Sequence, residues 1–129
     1  PIAISVASYE AKDIEFIAKK SVEMISTIIK NHNEYNGMVI NINFPDIDED
    51  EYKGIKGTAI SKRDIPAKPI SIKNNDGLRF RYNYSGEPLS EDHETDAKAV
   101  KDGFVSISAL DYSLNSKNSI DNLSTIFNE

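Results

Sequence analysis

From Ile2 to Val6 the chain reads Ile-Ala-Ile-Ser-Val with almost no polar interruption. That pattern predicts a strand covered on both faces, as in the middle of a parallel sheet. From Ala11 to Asn31 the period changes. Ile14, Ile17, Ala18, Val22, Ile25, Ile28 and Ile29 recur at helical spacing, with Lys19, Lys20, Glu23 and Lys30 off the stripe. Isoleucine is a poor helix former, so packing rather than propensity must hold this helix. Its end is marked by Asn31-His32-Asn33-Glu34 and Gly37. Met38–Phe44 is the next strand, closed by Pro45, with Met38, Ile40, Ile42 and Phe44 on one face and Val39, Asn41 and Asn43 on the other. Strand, helix, strand is a βαβ unit, and its crossover should be right-handed.

The middle of the chain is more broken. Asp46–Glu51 is an acidic run. As a calcium loop starting at Asp46 it would need glycine sixth and glutamate twelfth, where Glu51 and Gly57 stand. It reads as a solvated loop. Tyr52–Ser61 alternates like a strand, with Ile55, Gly57 and Ala59 against Lys56, Thr58 and Ile60. Pro69–Lys73 and Leu78–Tyr84 are two extended runs joined by Asn74-Asn75-Asp76-Gly77, a hairpin signal. Phe80, Tyr82 and Tyr84 share one face of the second arm, and Ile70 and Ile72 are expected to pair with them. A two-stranded hairpin is marginal alone in water, so this one is expected to lean on another surface.

Thr95–Leu110 organises the remainder. Thr95 or Asp96 can cap a short helix, Ala97, Ala99 and Val100 give it a small apolar side, and Asp102-Gly103 stops it. Phe104–Leu110 then alternates as a strand. Phe104, Ser106, Ser108 and Leu110 point one way, while Val105, Ile107 and Ala109 point the other. Large-small-small-large suits a neighbour packing closely over the serines. No histidine or lysine lies near them in sequence to serve as a base. Ile120, Leu123, Ile126 and Phe127 form an apolar stripe on a terminal helix of about three turns, too short to stand unsupported.

Composition narrows the function classes. The 129 residues include no cysteine, which removes disulfides and thiolate metal sites and suits a reducing cytoplasm. The net charge of −6, with no basic run, disfavours duplex DNA or RNA as a partner. No apolar run approaches the ~20 residues of a membrane span. His32 and His93 stand apart from any ligand constellation, and no phosphate-cradling glycine loop is present. Asn41 and Asn43 on one face of an inner strand need hydrogen-bond partners, either in a neighbouring loop or at a pocket.

Several of these stretches, in order, resemble the C-terminal half of the stationary-phase survival protein family, SurE. They are Pro1–Ser5 with the helix behind it, Asn41-Ile42-Asn43-Phe44-Pro45, the Gly-Glu-Pro run within Tyr82–Pro88, and Thr95-Asp96-x-x-Ala99-Val100-x-x-Gly103-Phe104-Val105-Ser106-Ile107. Two departures are Ser108-Ala109-Leu110 in place of Thr-Pro-Leu, and Ser113-Leu114-Asn115 in place of Asp-Leu-Thr. The resemblance implies an α/β, three-layer fold with a parallel-sheet βαβ start, a protruding hairpin and a C-terminal helix. Its expected organisation is a single C-terminal fragment: residues 1–61 as the βαβ unit and following strand, 62–94 as hairpin and loop, 95–129 as helix, strand and terminal helix.

The same resemblance implies a metal-dependent 5'-/3'-nucleotidase acting on nucleoside monophosphates, with magnesium or manganese in the parent enzyme. The family's paired aspartates match no position here, so no catalytic or metal residue is assigned, and the chain alone is expected to bind no metal and to be inactive. Asn41, Asn43, Thr95, Asp96 and Gly103 are assigned as the structural motif. Ile70, Ile72, Phe80, Tyr82, Tyr84, Leu123 and Phe127 are the expected oligomer contacts. The implied partners are the N-terminal half of the same protein and copies of itself in a dimer or tetramer. The alternative is a non-enzymatic oligomerisation or binding module of the same fold.

Overall fold

The computed structural model describes residues 1–35, 37–74, 77–82 and 86–111. Strand β1 (Ile2–Val6) leads into helix α1 (Ile14–Lys30), strand β2 (Met38–Phe44) and the short strand β3 (Ile55–Gly57). The hairpin strands β4 (Ile70–Asn74) and β5 (Gly77–Arg81) follow, then helix α2 (Asp96–Lys101) and strand β6 (Val105–Asp111). The main sheet has the order β1-β2-β6-β3, and the hairpin is a separate two-stranded sheet. The expected terminal helix, including Ile120, Leu123, Ile126 and Phe127, lies outside the described residues, as do Tyr84 and Ser113-Leu114-Asn115. Among the described residues no helix is long and apolar enough to cross a membrane.

The sheet is mixed. β1 and β2 are parallel, as the βαβ reading requires, but β6 runs antiparallel to β2 and parallel to β3. Three layers result. On one face α1 brings Phe16, Ile17 and Met24 onto Ile40, Ile42, Phe44 and Val105 in a single buried cluster. On the other, the α2 side, Ala99, Ser106 and Ser108 are buried. Asp13 caps α1 with its carboxylate accepting from the Phe16 amide at 2.9 Å. The helix therefore starts three residues later than the sequence predicts.

Burial differs from expectation at two places. Among the described residues β1 is an edge strand, paired only with β2, and Ile2 and Ile4 are exposed on their α1 side. Its unbroken apolar composition asks for cover that the described residues do not supply. In α1, Phe16 and Met24 turn inward while Ile14, Val22 and Ile29 of the expected stripe lie outside. The hairpin register also departs from the expected pairing. Ile70 faces Arg81, Ile72 faces Arg79, and Phe80 faces Ser71. Asn74 pairs with Gly77, and that register fixes which residues share a face, placing the isoleucines opposite arginines and not beside the aromatic side chains. The predicted strand Tyr52–Ser61 shrinks to Ile55–Gly57 plus a bridge from Ala59 to Thr95.

The link from α2 to β6 is a Schellman turn. Gly103 donates to Val100 at 3.1 Å and Phe104 to Ala99 at 2.9 Å, closing the last turn of α2. Gly103 has φ +88°, the left-handed region that side chains resist. A Cβ there would meet nothing closer than the Lys53 side chain at 3.5 Å, so backbone strain alone sets the cost of replacing it. Gly86 is constrained differently, since a Cβ would fall 2.5 Å from the Asp64 carbonyl oxygen. Gly103→Val should destabilise the fold by about 1–2 kcal/mol, read by urea or thermal unfolding. A variant that unfolds with the parent would show that the turn is not held in this conformation.

Candidate functional site

The side of the sheet away from α1 is polar. Register aligns Ser5, Asn43, Ser106 and Lys56 in one row across the four strands, and Ala3, Asn41, Ser108 and Thr58 in the next. The first row is linked by hydrogen bonds. Ser5 Oγ donates to Asn43 Oδ1 at 2.6 Å, and Asn43 Nδ2 donates to Ser106 Oγ at 3.3 Å. In the second row the hydroxyls of Thr58 and Ser108 lie 2.9 Å apart. Ser106 and Ser108 are buried, Asn41 and Asn43 half-buried, and Ser5 exposed. The row thus runs from solvent at β1 into the interior at β6.

Its open end lies at the carboxyl ends of the parallel strands β1 and β2, where ligands of open α/β sheets gather. The start of α1 nearby is not an anion site. Asp13 already occupies the helix cap, and the Asp46 carboxylate accepts from the Lys12 amide at 2.9 Å. Lys56 closes the row on the β3 side. Its ammonium donates to Glu94 at 2.9 Å and sits 4.1 Å from the centre of the Phe104 ring. That hydrogen bond holds the Glu94 carboxyl below the usual glutamate range, with burial opposing it.

Thr95 and Asp96 meet a strut instead of a pocket. The Asp96 carboxylate accepts from the Ser61 amide, the Ser61 hydroxyl and its neighbour Ala97's amide. Thr95 is buried and caps α2 through the Lys98 amide at 3.4 Å. With Asp96 N–H bonded to Ala59 and Ala59 N–H to Glu94, these contacts pin residues 59–61 across the start of α2. Every described hydrogen bond of Asp96 is thus made within the fold.

Chemically the row offers neutral hydrogen-bonding groups. Its serine hydroxyls are engaged with Asn43 or Thr58, and no base is hydrogen-bonded to them among the described contacts. Among the described residues no three His, Cys, Asp or Glu side chains gather as a metal donor set. A largely apolar groove of about 540 Å³ lies on the opposite face, between α1 and the sheet, beside Met24, Ile28, Ile55 and Ile107. Of the hairpin residues, Ile70, Ile72, Phe80 and Tyr82 are all exposed.

Asn41 and Asn43 share the polar face that the alternation of β2 predicts. Ser5, Lys56 and Thr58 were not singled out from the sequence, although the alternation of Tyr52–Ser61 signals Lys56 and Thr58; Ser5 sits in a strand without polar alternation. What the sequence lacked was the strand order that sets these positions side by side.

Comparison with known proteins gives a consistent result. A family model described as Survival protein SurE matches residues 1–67. The 5'-nucleotidase SurE of Vesicomyosocius okutanii is 29% identical over 128 residues, covering 99% of this chain and 51% of that protein. The 5'/3'-nucleotidase SurE of Erwinia tasmaniensis is 28% identical over 110 residues, covering 84% and 42%. The crystal structure of the SurE protein from Aquifex aeolicus superposes with a TM-score of 0.69 at 26% identity, covering 97% of this chain and 50% of that one. The chain spans about half the length of the relatives it matches.

Asn43→Ala should cost about 1–3 kcal/mol in urea unfolding, because it strips a partner from the buried Ser106 hydroxyl. Ser5→Ala removes only the solvent end of the row and should cost less. Equal losses from the two would show that the buried end of the row does not carry the energy.

Proposed function

We propose, for a chain that belongs to the Survival protein SurE family, a role as part of a metal-dependent nucleotidase that removes phosphate from nucleoside monophosphates. The observation that carries this reading is a match along 99% of the chain to a protein named 5'-nucleotidase SurE. The polar row at the carboxyl ends of β1 and β2 supports it. There Ser5 and Asn43 can offer neutral hydrogen bonds to a sugar or phosphate without adding negative charge.

A divalent ion in such an enzyme lowers the pKa of bound water and stabilises charge on the phosphoryl group. Among the described residues no donor set for that ion gathers, and in this reading the donors come from the half of the longer protein outside this chain. This chain's share is to complete the sheet, to present the polar row, and to supply subunit contacts through the hairpin. A cysteine-free chain suits a cytoplasmic setting.

The 129-residue chain, supplied with a nucleoside monophosphate and magnesium or manganese, should release no phosphate. The longer protein that includes it should do so and should lose turnover on chelation. Activity that follows the short chain through repurification would overturn the division of labour. A longer protein that folds but never turns over would favour the non-enzymatic binding module.

Subunit contact is tested separately. Leu78 and Phe80 lie exposed on one hairpin face, and Ile70 and Ile72 on the other. Exposed apolar side chains on an isolated ribbon mark an interface, and a stable dimer would bury roughly 1,200–2,000 Å² in total. Sedimentation should show self-association that Phe80→Asp weakens without lowering thermal stability. A parent chain that is monomeric at about the concentration of ordinary assays, in the tens of micromolar, would remove the hairpin from this role.

A further inference from the structure

β1 ends at Val6 and α1 begins at Ile14. The connection between them is anchored at both ends, because Val6 and Ala11 pack against the core on the α1 side. Hydrogen bonds brace it further. Ala7 donates to the Phe44 carbonyl at 2.9 Å, and the Lys12 amide donates to the Asp46 carboxylate at 2.9 Å. The Ser8 hydroxyl donates to the Glu10 carbonyl at 2.9 Å and accepts from the Glu10 amide at 3.2 Å. Tyr9 stands at the apex of this turn. It is 90% exposed, and no other aromatic side chain among the described residues is exposed as far.

A ring held out in solvent by a braced turn offers a flat apolar face. Its place narrows what can lie on that face. The turn leaves the carboxyl end of β1, where ligands of open α/β sheets gather. Ser5, at the solvent end of the polar row, precedes Tyr9 by only four residues, a span of at most about 14 Å along the chain. Charge narrows the choice further. Glu10 and Asp13 belong to the turn and Asp46 is hydrogen-bonded to it, and together they outnumber Lys12. An anionic group is therefore disfavoured beside the ring. A neutral, planar group is favoured, and every nucleobase has a π face that stacks on an aromatic side chain.

We propose that Tyr9 is the platform on which the base of a nucleoside monophosphate stacks, and so separates nucleotides from simple sugar phosphates. The inference rests on the nucleotidase reading and adds a base subsite to it. The ligand then lies across the carboxyl end of β1, with its sugar toward Ser5 and Asn43 and its base outward on Tyr9. The acidic side chains of the turn keep the phosphate away from the base end, which fixes the direction in which the ligand enters. Stacking on one ring tolerates any base, so the subsite selects for the presence of a base and not for its identity.

The test uses the longer protein that includes this chain, with Tyr9→Ala and Tyr9→Phe. The quantity read is the ratio of kcat/KM for AMP to kcat/KM for ribose 5-phosphate. Tyr9→Ala should lower that ratio by about tenfold, and Tyr9→Phe should keep it within about twofold of the parent. A purely structural role would lower both substrates together and leave the ratio where it was. An unchanged ratio in Tyr9→Ala overturns the proposal.

A second readout needs no turnover. This chain contains no tryptophan, so Tyr9→Trp adds an indole whose emission is read as the difference from the parent protein. Emission typical of a buried indole before any ligand is added overturns the proposal, because the rest of the protein then covers this position. A longer protein that releases no phosphate from either substrate removes the nucleotidase reading, and quenching of the indole then decides alone. Saturable quenching by adenosine but not by ribose sustains the base subsite, and its absence overturns it.

Discussion

β6 has to satisfy two different neighbours at once, and the rest of the fold follows from how it does so. Val105 and Ile107 face the α1 side, where Val105 joins Ile42 and Phe44 in the core. Ser106 and Ser108 face the α2 side and are buried. Small side chains on that side let the backbone of α2 approach closely enough to bury Ala99 completely. A six-residue helix has no stability of its own. It exists because Thr95 and Asp96 tie its start to residues 59–61, and the Gly103 turn ties its end to β6. The same strand then joins β2 to β3, so a shift of register in β6 would exchange the apolar and polar faces together.

What was legible in the sequence depended on whether a signal was local. β2 was bounded correctly because Gly37 and Pro45 bracket it and its alternation is complete. The cap of α2, its stop at Gly103 and the two faces of β6 were equally local, and each falls where the residues placed it. The hairpin was foreseen, but the pairing of its isoleucines with its aromatic face was not borne out: counted from Lys73 opposite Leu78, Ile72 and Ile70 meet Arg79 and Arg81. The buried side of α1 was misjudged because isoleucines outnumber the inward-facing Phe16 and Met24. Pattern alone cannot say which of two apolar stripes meets the sheet. The polar row was only half visible, because Ser5, Asn43 and Ser106 meet from strands far apart in sequence.

The polar row shows how little chemistry this half of the sheet carries unaided. Its neutral groups are largely paired with one another, and its nearby charges are paired as well, Lys56 with Glu94 and Asp96 with the amides of Ser61 and Ala97. A buried serine that accepts from an asparagine amide is not activated as an alkoxide, because among the described residues no base accepts its proton. Such a face can orient a polar ligand and hold strands in register. It does not by itself create the charge separation that phosphoryl transfer demands.

Pattern and burial disagree at β1, along the outer flank of α1, and on the hairpin, but the disagreement differs in kind. On the hairpin the backbone ladder between β4 and β5 is closed, and arginines stand opposite the isoleucines. Mixed charge and apolar surface with no open backbone is the composition of an interface that forms between finished units. At β1 and α1 the apolar surface has no interspersed charge along the strand, and no described residue pairs the outward N–H and C=O groups of the strand. Covering those groups takes another strand, not a side-chain patch, because each buried backbone group needs a partner of its own. The first surface is thus closed along its backbone, whereas the second leaves backbone groups for which the described residues supply no partner.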